Sequence, residues 1–492
     1  MSATKTPEQS AALNAADRDK LERAEIDAST RLPVVIFYGS AVFWLLVGTV
    51  FALLTSLKLN SPGLLADWGW LTYGRVRPAH LNAVAYGWAS SAGIGTGLWI
   101  MARLCRTPLR HLKLPVGAAI FWNIGVLLGI LGLLAGDGRS IEWLEFPNYA
   151  SGMLFVAFAL ISVWAVVMFR FRKPGHVYVS QWYLLAAFLW FPWMYSTANL
   201  LLNFQPIQGG AQGAVNWWYA HNALGLWFTP IGLATAYYLI PKVLGRPIYG
   251  YSLSILGFWA LALFYSWNGM HHLIGGPLPA WMVSASVVAS VLMFIPVITA
   301  AINHHMTVRG DFAALQWSPT LRFIVFGAVC YTLVSLQGIA MSIPSLNVIT
   351  HFTHYTVGHA HLGMYAFFTM MMFGAMYYIL PRVVGWEWPS ARLIRWHFWL
   401  VAVGIGMMVA VLTMGGLQQG LMLLDPNITF MDSVAATKPW LLLRSVSGIL
   451  LTAGHLVFAL SFTLLLLKAG KQRAGTAPSS RAPETKTEMH AV

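Results

Sequence analysis

Six histidines stand in apolar stretches of the chain: His80, His221, His271, His272, His359 and His361. An ionisable side chain at membrane depth is costly and marks a functional candidate. For any one of them alone, a packing histidine bonded to a neighbour is the ordinary reading. Their spacing argues for more. His359 and His361 are two residues apart, which on a helix turns them about 200° apart. Such a pair can hold a different planar ligand on each side of one helix. His271 and His272 are adjacent, beside Gly269, Gly275, Gly276 and Pro277. A loosened helix end there lets neighbouring imidazoles converge on one metal. His221 is the candidate third ligand. Three imidazoles and an open position suit copper, and imidazole alone also accepts zinc, iron or nickel.

Tyr265 lies seven residues before His272. On a continuous helix that is two turns, so both point the same way. The phenol is then expected about 10 Å deeper than the metal, on the cytoplasmic side. Tyr237 and Ser254 extend this into an inward-pointing trail of hydroxyls, although each alone is an ordinary residue of a membrane helix. Asp and Glu are nearly missing from the apolar segments. That argues against a transporter built on intramembrane carboxylates.

The elements that must position these residues follow from composition. Of 492 residues, 58% are hydrophobic and 9% charged, against roughly 25% charged in soluble proteins. So few charges cannot cover several soluble domains, and disorder needs low hydrophobicity. Cys105 and Cys330 are the only cysteines, so there is no disulfide framework, no CxxC zinc site and no CxxCH haem attachment. The expected class is an all-α polytopic membrane protein. A spanning helix needs about 20 apolar residues. Twelve such stretches are found, near 33–57, 78–104, 114–136, 148–170, 179–202, 214–241, 249–274, 279–303, 320–344, 353–381, 395–423 and 440–467. Residues 1–32 form a polar N-terminal segment without the layout of a signal peptide, 33–468 the twelve-helix core, and 469–492 a polar tail.

Lys and Arg set the orientation. One set of loops carries Arg103, Arg106, Arg110, Lys113, Arg170, Arg172, Lys173, Lys242, Arg246, Arg309, Arg382, Arg392 and Arg395, while 203–213 has no charge. The basic loops and both termini are therefore expected on the cytoplasmic side. The net charge of +14 reflects this topology. It gives little support to a nucleic-acid partner, because the charges are spread over short loops. In this topology all six histidines fall at similar depth, in the outer half of the membrane.

Four segments carry a resemblance: RVRPAHLNAVAYG (75–87), WWYAHNALGLW (217–227), GRPIYGYSLSILGFWALALFYSWNGMHHL (245–273) and YTVGHAHLGM (355–364). With them the chain resembles the catalytic subunit I of haem-copper oxygen reductases, in particular the C-family, cbb3-type cytochrome c oxidases. The resemblance covers about residues 33–467. It implies the haem-copper oxidase subunit I fold. It implies that His80 and His361 are axial ligands of a low-spin haem b, and that His359 is the proximal ligand of a high-spin haem, b-type. It assigns copper to His221, His271 and His272, and a His221–Tyr265 cross-link to the active site. Tyr237 and Ser254 match a single proton path leading to Tyr265. Arg444 matches an arginine near the haem propionates, with a snorkelling arginine as the equal alternative. A calcium ion between the propionates has Glu142 and Glu145 as candidates, which are equally read as solvated loop charges.

The implied activity is reduction of O2 to water, coupled to proton uptake and pumping. Electrons would come from soluble cytochrome c through membrane-anchored c-type cytochrome subunits. The implied location is the bacterial inner membrane. Two positions depart from the family: Gln337 stands where a glutamate is usual, and His354 where an aspartate is usual. Both bear on proton handling. The rival on the same fold is a nitric oxide reductase acting on NO, which typically lacks the tyrosine and places glutamates near a non-haem iron. A twelve-span secondary transporter is the rival from another class, but it would leave the histidine set unexplained and would show internal repeats.

Overall fold

The computed structural model describes the backbone of residues 7–473 and the side chains of residues 17–470. Most of the polar tail expected at 469–492 lies outside the described residues. No strand occurs among the described residues. The chain folds as long helices: α1 (Pro7–Asn60), α2 (73–105), α3 (Lys113–Ala135), α4 (Asn148–Arg170), α5 (Val179–Phe204), α6 (Gly210–Leu244), α7 (Tyr251–Tyr265), α8 (Ala280–Val308), α9 (Pro319–Ser342), α10 (His354–Val384), α11 (Ala391–Leu424) and α12 (Phe430–Arg473).

Among the described residues, eleven helices are long and apolar enough to cross a membrane. The remaining expected crossing is α2. Its inner part is rich in Gly, Ala and Ser and is buried almost throughout. A helix that faces other helices does not need the uniformly apolar surface that lipid demands. By contrast, α7 exposes Leu256, Trp259 and Leu263, a stripe at helical spacing that suits contact with acyl chains.

Residues 7–32 of the polar N-terminal segment belong to α1, which runs without a break through residue 32. This extension is docked on the basic loops that follow α2 and α4. Asp27 forms a buried ion pair with Arg103 at 3.0 Å and accepts a bond from the Trp99 indole at 2.8 Å. Glu22 pairs with Arg106 and Lys173.

The most enclosed helices are α6 and α10, with the inner part of α2 equally buried. These three carry His80, His221, His359 and His361. Each has a π-helical segment just after its histidine: Ala83–Ala89, Leu224–Phe228 and Leu362–Thr369. Such segments are rare and concentrate at functional sites. Here the same local widening recurs at the same place in three helices.

Candidate functional site

His221 sits on α6. The second and third imidazoles come from beyond α7, which ends at Tyr265. The chain then turns at Gly269, with φ +120°, into a 3-10 turn, Met270–Leu273. A Cβ at residue 269 would lie 2.5 Å from the Trp217 carbonyl oxygen. Only glycine combines that φ with so close an approach. The turn therefore lies against α6 and brings His271 and His272 to His221. One ligand nitrogen from each of the three lies within 4.8 Å of the others.

The bonds around the cluster leave nitrogens free for a metal. The Ser286 and Ser290 hydroxyls each lie 3.0 Å from His271 Nδ1. Ser290 has its own acceptors in the Ser286 carbonyl and Asn268. Its oxygen is then free to accept from Nδ1–H of His271, which frees Nε2 as a ligand. His272 stacks on Trp217, with ring centroids 4.2 Å apart. His221 Nδ1 is buried with no hydrogen-bond partner. A buried orphan nitrogen beside two other imidazoles is the donor set expected of a metal site.

Tyr265 is closer to this cluster than helical spacing predicts. Its ring lies 4.7 Å from the His221 ring, the planes at 34°. The extrapolation to about 10 Å assumed one helix from Tyr265 to His272, and the helix stops at Tyr265. Glycine at 225 makes the room, since a Cβ there would fall 1.8 Å from Tyr265 Cε1.

His80 and His361 line one cavity of about 150 Å³, together with Trp143, Tyr365 and Arg444. His80 Nδ1 bonds the Gly48 carbonyl at 3.0 Å, and His361 Nδ1 bonds the Val357 carbonyl at 2.8 Å. A carbonyl only accepts, so both rings carry hydrogen on Nδ1 and keep Nε2 unprotonated, able to hold a metal. His359 is turned to α9, where Nδ1 meets Gln337 Oε1 at 3.2 Å. The two histidines of α10 thus face different neighbours, His361 the cavity shared with His80 and His359 the side chain of Gln337.

The departures from the family pattern have visible contacts. Gln337 accepts the hydrogen bond from His359, a role that needs an oxygen but no charge. His354 starts α10, its backbone N–H held by Gln419 Oε1 at 2.9 Å. In the loop between α3 and α4, Glu142 pairs with Arg77 at 3.2 Å, and Glu145 accepts from Asn82 at 3.0 Å. Burial pushes the Glu145 carboxyl up to about 7.

Tyr237 and Ser254 are fully buried on α6 and α7. Ser254 donates to the Tyr251 carbonyl at 2.6 Å, and Asn303 donates to the Tyr237 hydroxyl at 3.5 Å. Among the described residues no direct bond joins Tyr237, Ser254 and Tyr265. The sequence reading missed the residues around them: Asn303, Tyr331, and the serines that hold His271. Ser286 and Ser290 are four apart in an apolar helix, a spacing that places them on one face and was available as a signal.

The fold matches a cryo-EM structure described as a haem-copper terminal oxidase dimer, with TM-score 0.70 and 14% identity, over 96% of this chain and 89% of that one. Residues 33–450 match the family model for Cytochrome C and Quinol oxidase polypeptide I. A cbb3-type cytochrome c oxidase subunit CcoN1 from Stutzerimonas stutzeri is 33% identical over 85% of this chain and 91% of its own. A cytochrome c oxidase subunit 1 homolog from Agrobacterium tumefaciens is 32% identical over 91% of this chain and 86% of its own. With the histidine geometry and these relatives together, the chain belongs to the cytochrome c and quinol oxidase polypeptide I family and is a multi-pass, haem- and copper-dependent cytochrome c oxidase.

Proposed function

We propose that this chain is the cbb3-type catalytic subunit, in which His80 and His361 hold a low-spin haem b and His359 a high-spin haem, b-type. Copper is held by His221, His271 and His272. The observation that carries this reading is the Tyr265 ring seated against His221 at the edge of the three-imidazole cluster. When bound, the haems and copper bring electrons from c-type cytochromes to dioxygen.

The chain's own residues do the rest. The carbonyls of Gly48 and Val357 hold the imidazoles of the low-spin pair in one tautomer and one orientation. Gln337 does the same for His359, and Ser286 and Ser290 for His271. Such outer contacts typically change metal affinity or activity by about 10–100-fold. Arg444 lines the low-spin cavity and supplies a positive charge for the propionates. Tyr265, half-buried beside these groups, can give both a proton and an electron, which phenylalanine cannot. Protons reach Tyr265 from the cytoplasm past Tyr237 and Ser254. The tyrosine and the absence of a carboxylate from the described metal cluster favour O2 over NO as the substrate.

Membrane-anchored c-type cytochrome subunits on the outer face, fed by soluble cytochrome c, are the partners that fit a chain without CxxCH. Basic loops favour the bacterial inner membrane with both termini cytoplasmic, and proton pumping accompanies uptake. Calcium gains no support from Glu142 and Glu145, each of which has a protein partner. Metal and haem analysis of the purified complex, with O2- and NO-consumption assays on the same preparation, tests the reading. Two haems and one copper in this subunit, with O2 consumed, are expected. Non-haem iron in place of copper, with NO consumed, would overturn it.

A further inference from the structure

His304 on α8 is 2% exposed, and neither of its ring nitrogens has a hydrogen-bond partner. A neutral imidazole carries one donor and one acceptor. Buried polar groups are almost always satisfied, by protein or by internal water. With no protein partner for either nitrogen, water is the group that fits.

The position gives this water a use. The His304 ring lies 4.7 Å from the Tyr237 ring. The preceding residue, Asn303, donates to the Tyr237 hydroxyl at 3.5 Å, and its Oδ1 accepts from the Gly250 backbone. His304 is four residues from the cytoplasmic end of α8, about 6 Å along its axis. Tyr237 is seven residues from the end of α6, about 10 Å. From the cytoplasm, His304 is therefore met before Tyr237. A buried imidazole short of partners thus lies between the cytoplasmic end of α8 and Tyr237.

We infer that His304 relays protons from the cytoplasmic side to Tyr237. A proton from water is taken by one ring nitrogen and the proton on the other nitrogen is released toward the Tyr237 hydroxyl, so the ring begins and ends neutral. The inference rests on the proposed proton path through Tyr237. His304 is a positioning and proton-carrying group; it touches neither metal nor dioxygen.

The test compares wild type, His304→Phe, His304→Gln and Tyr237→Phe in the intact oxidase complex. Proton uptake is followed with a pH-indicator dye while the reduced enzyme reacts with O2, and haem spectra report on the metal sites. His304→Phe and His304→Gln are both expected to slow the uptake phase at least tenfold with haem spectra unchanged. Wild-type uptake in either variant overturns the relay. In particular, a fast His304→Gln beside a slow His304→Phe would mean that residue 304 only anchors water. If His304→Phe loses its haems, His304→Gln decides alone. Tyr237→Phe separates the two levels. Wild-type uptake in that variant removes the path itself, while slow uptake there with fast His304 variants removes only the relay.

Discussion

The proposed low-spin pair and the proposed copper trio are built from the same side chain by opposite means. His80 and His361 lie within continuous helical runs, each with Nδ1 tied to a backbone carbonyl. The trio takes one imidazole from α6 and two from a turn that follows a broken helix. A straight helix presents one ligand per turn on a given face, so two facing helices suffice for two axial ligands. Three imidazoles converging on a single point need a change of direction, which Gly269 provides at φ +120°. The broken helix also brings Tyr265 to the trio. No such side chain is needed where the task is only to pass electrons.

The largest expected effect tests the catalytic side of this contrast. Tyr265→Phe preserves the ring that fills the space over Gly225, so the fold, both haems and copper should persist. The phenol is lost as a donor of both a proton and an electron. O2 consumption should fall by several orders of magnitude at unchanged metal content. Turnover near the wild-type rate would end the proposed role. Peptide mass analysis should find the His221 and Tyr265 peptides joined in wild type and separate in the variant.

The next effect concerns which histidine serves which region. His80→Ala should remove the low-spin haem features from the visible spectrum and leave the high-spin ones. His359→Ala should do the reverse. If either variant lost only the other haem, the two faces of α10 would be wrongly assigned.

The smallest effect lies in the bond between Gln337 and His359. Gln337→Leu removes an acceptor at 3.2 Å, and activity should fall about tenfold, at the low end of such outer contacts. Gln337→Glu keeps an acceptor and adds charge, which makes the imidazole a stronger donor to iron. The iron–histidine stretching frequency should drop in the leucine variant and rise in the glutamate variant. One frequency in all three proteins would show that this bond does not tune His359.

How far the sequence could be read depends on whether the chemistry is local. Twelve apolar stretches, the 200° separation of His359 and His361, and the adjacency of His271 and His272 are one-dimensional patterns tied to helix geometry and bilayer thickness. Those readings needed no knowledge of neighbours. The resemblance then supplied roles that spacing alone left open, such as the choice of copper for three imidazoles.

What the tertiary structure decided are distances between segments far apart in the chain. The place of Tyr265 could not be extrapolated from His272, because helix periodicity says nothing once the helix ends. Its contact with His221 depends on the absence of a side chain at Gly225, forty residues away in sequence. Likewise, only packing pairs Gln337 with His359, places Ser286 and Ser290 on His271, and leaves both nitrogens of His304 without a partner. A sequence records which groups need hydrogen-bond partners. Which of them are met is settled only when the helices pack and water is excluded.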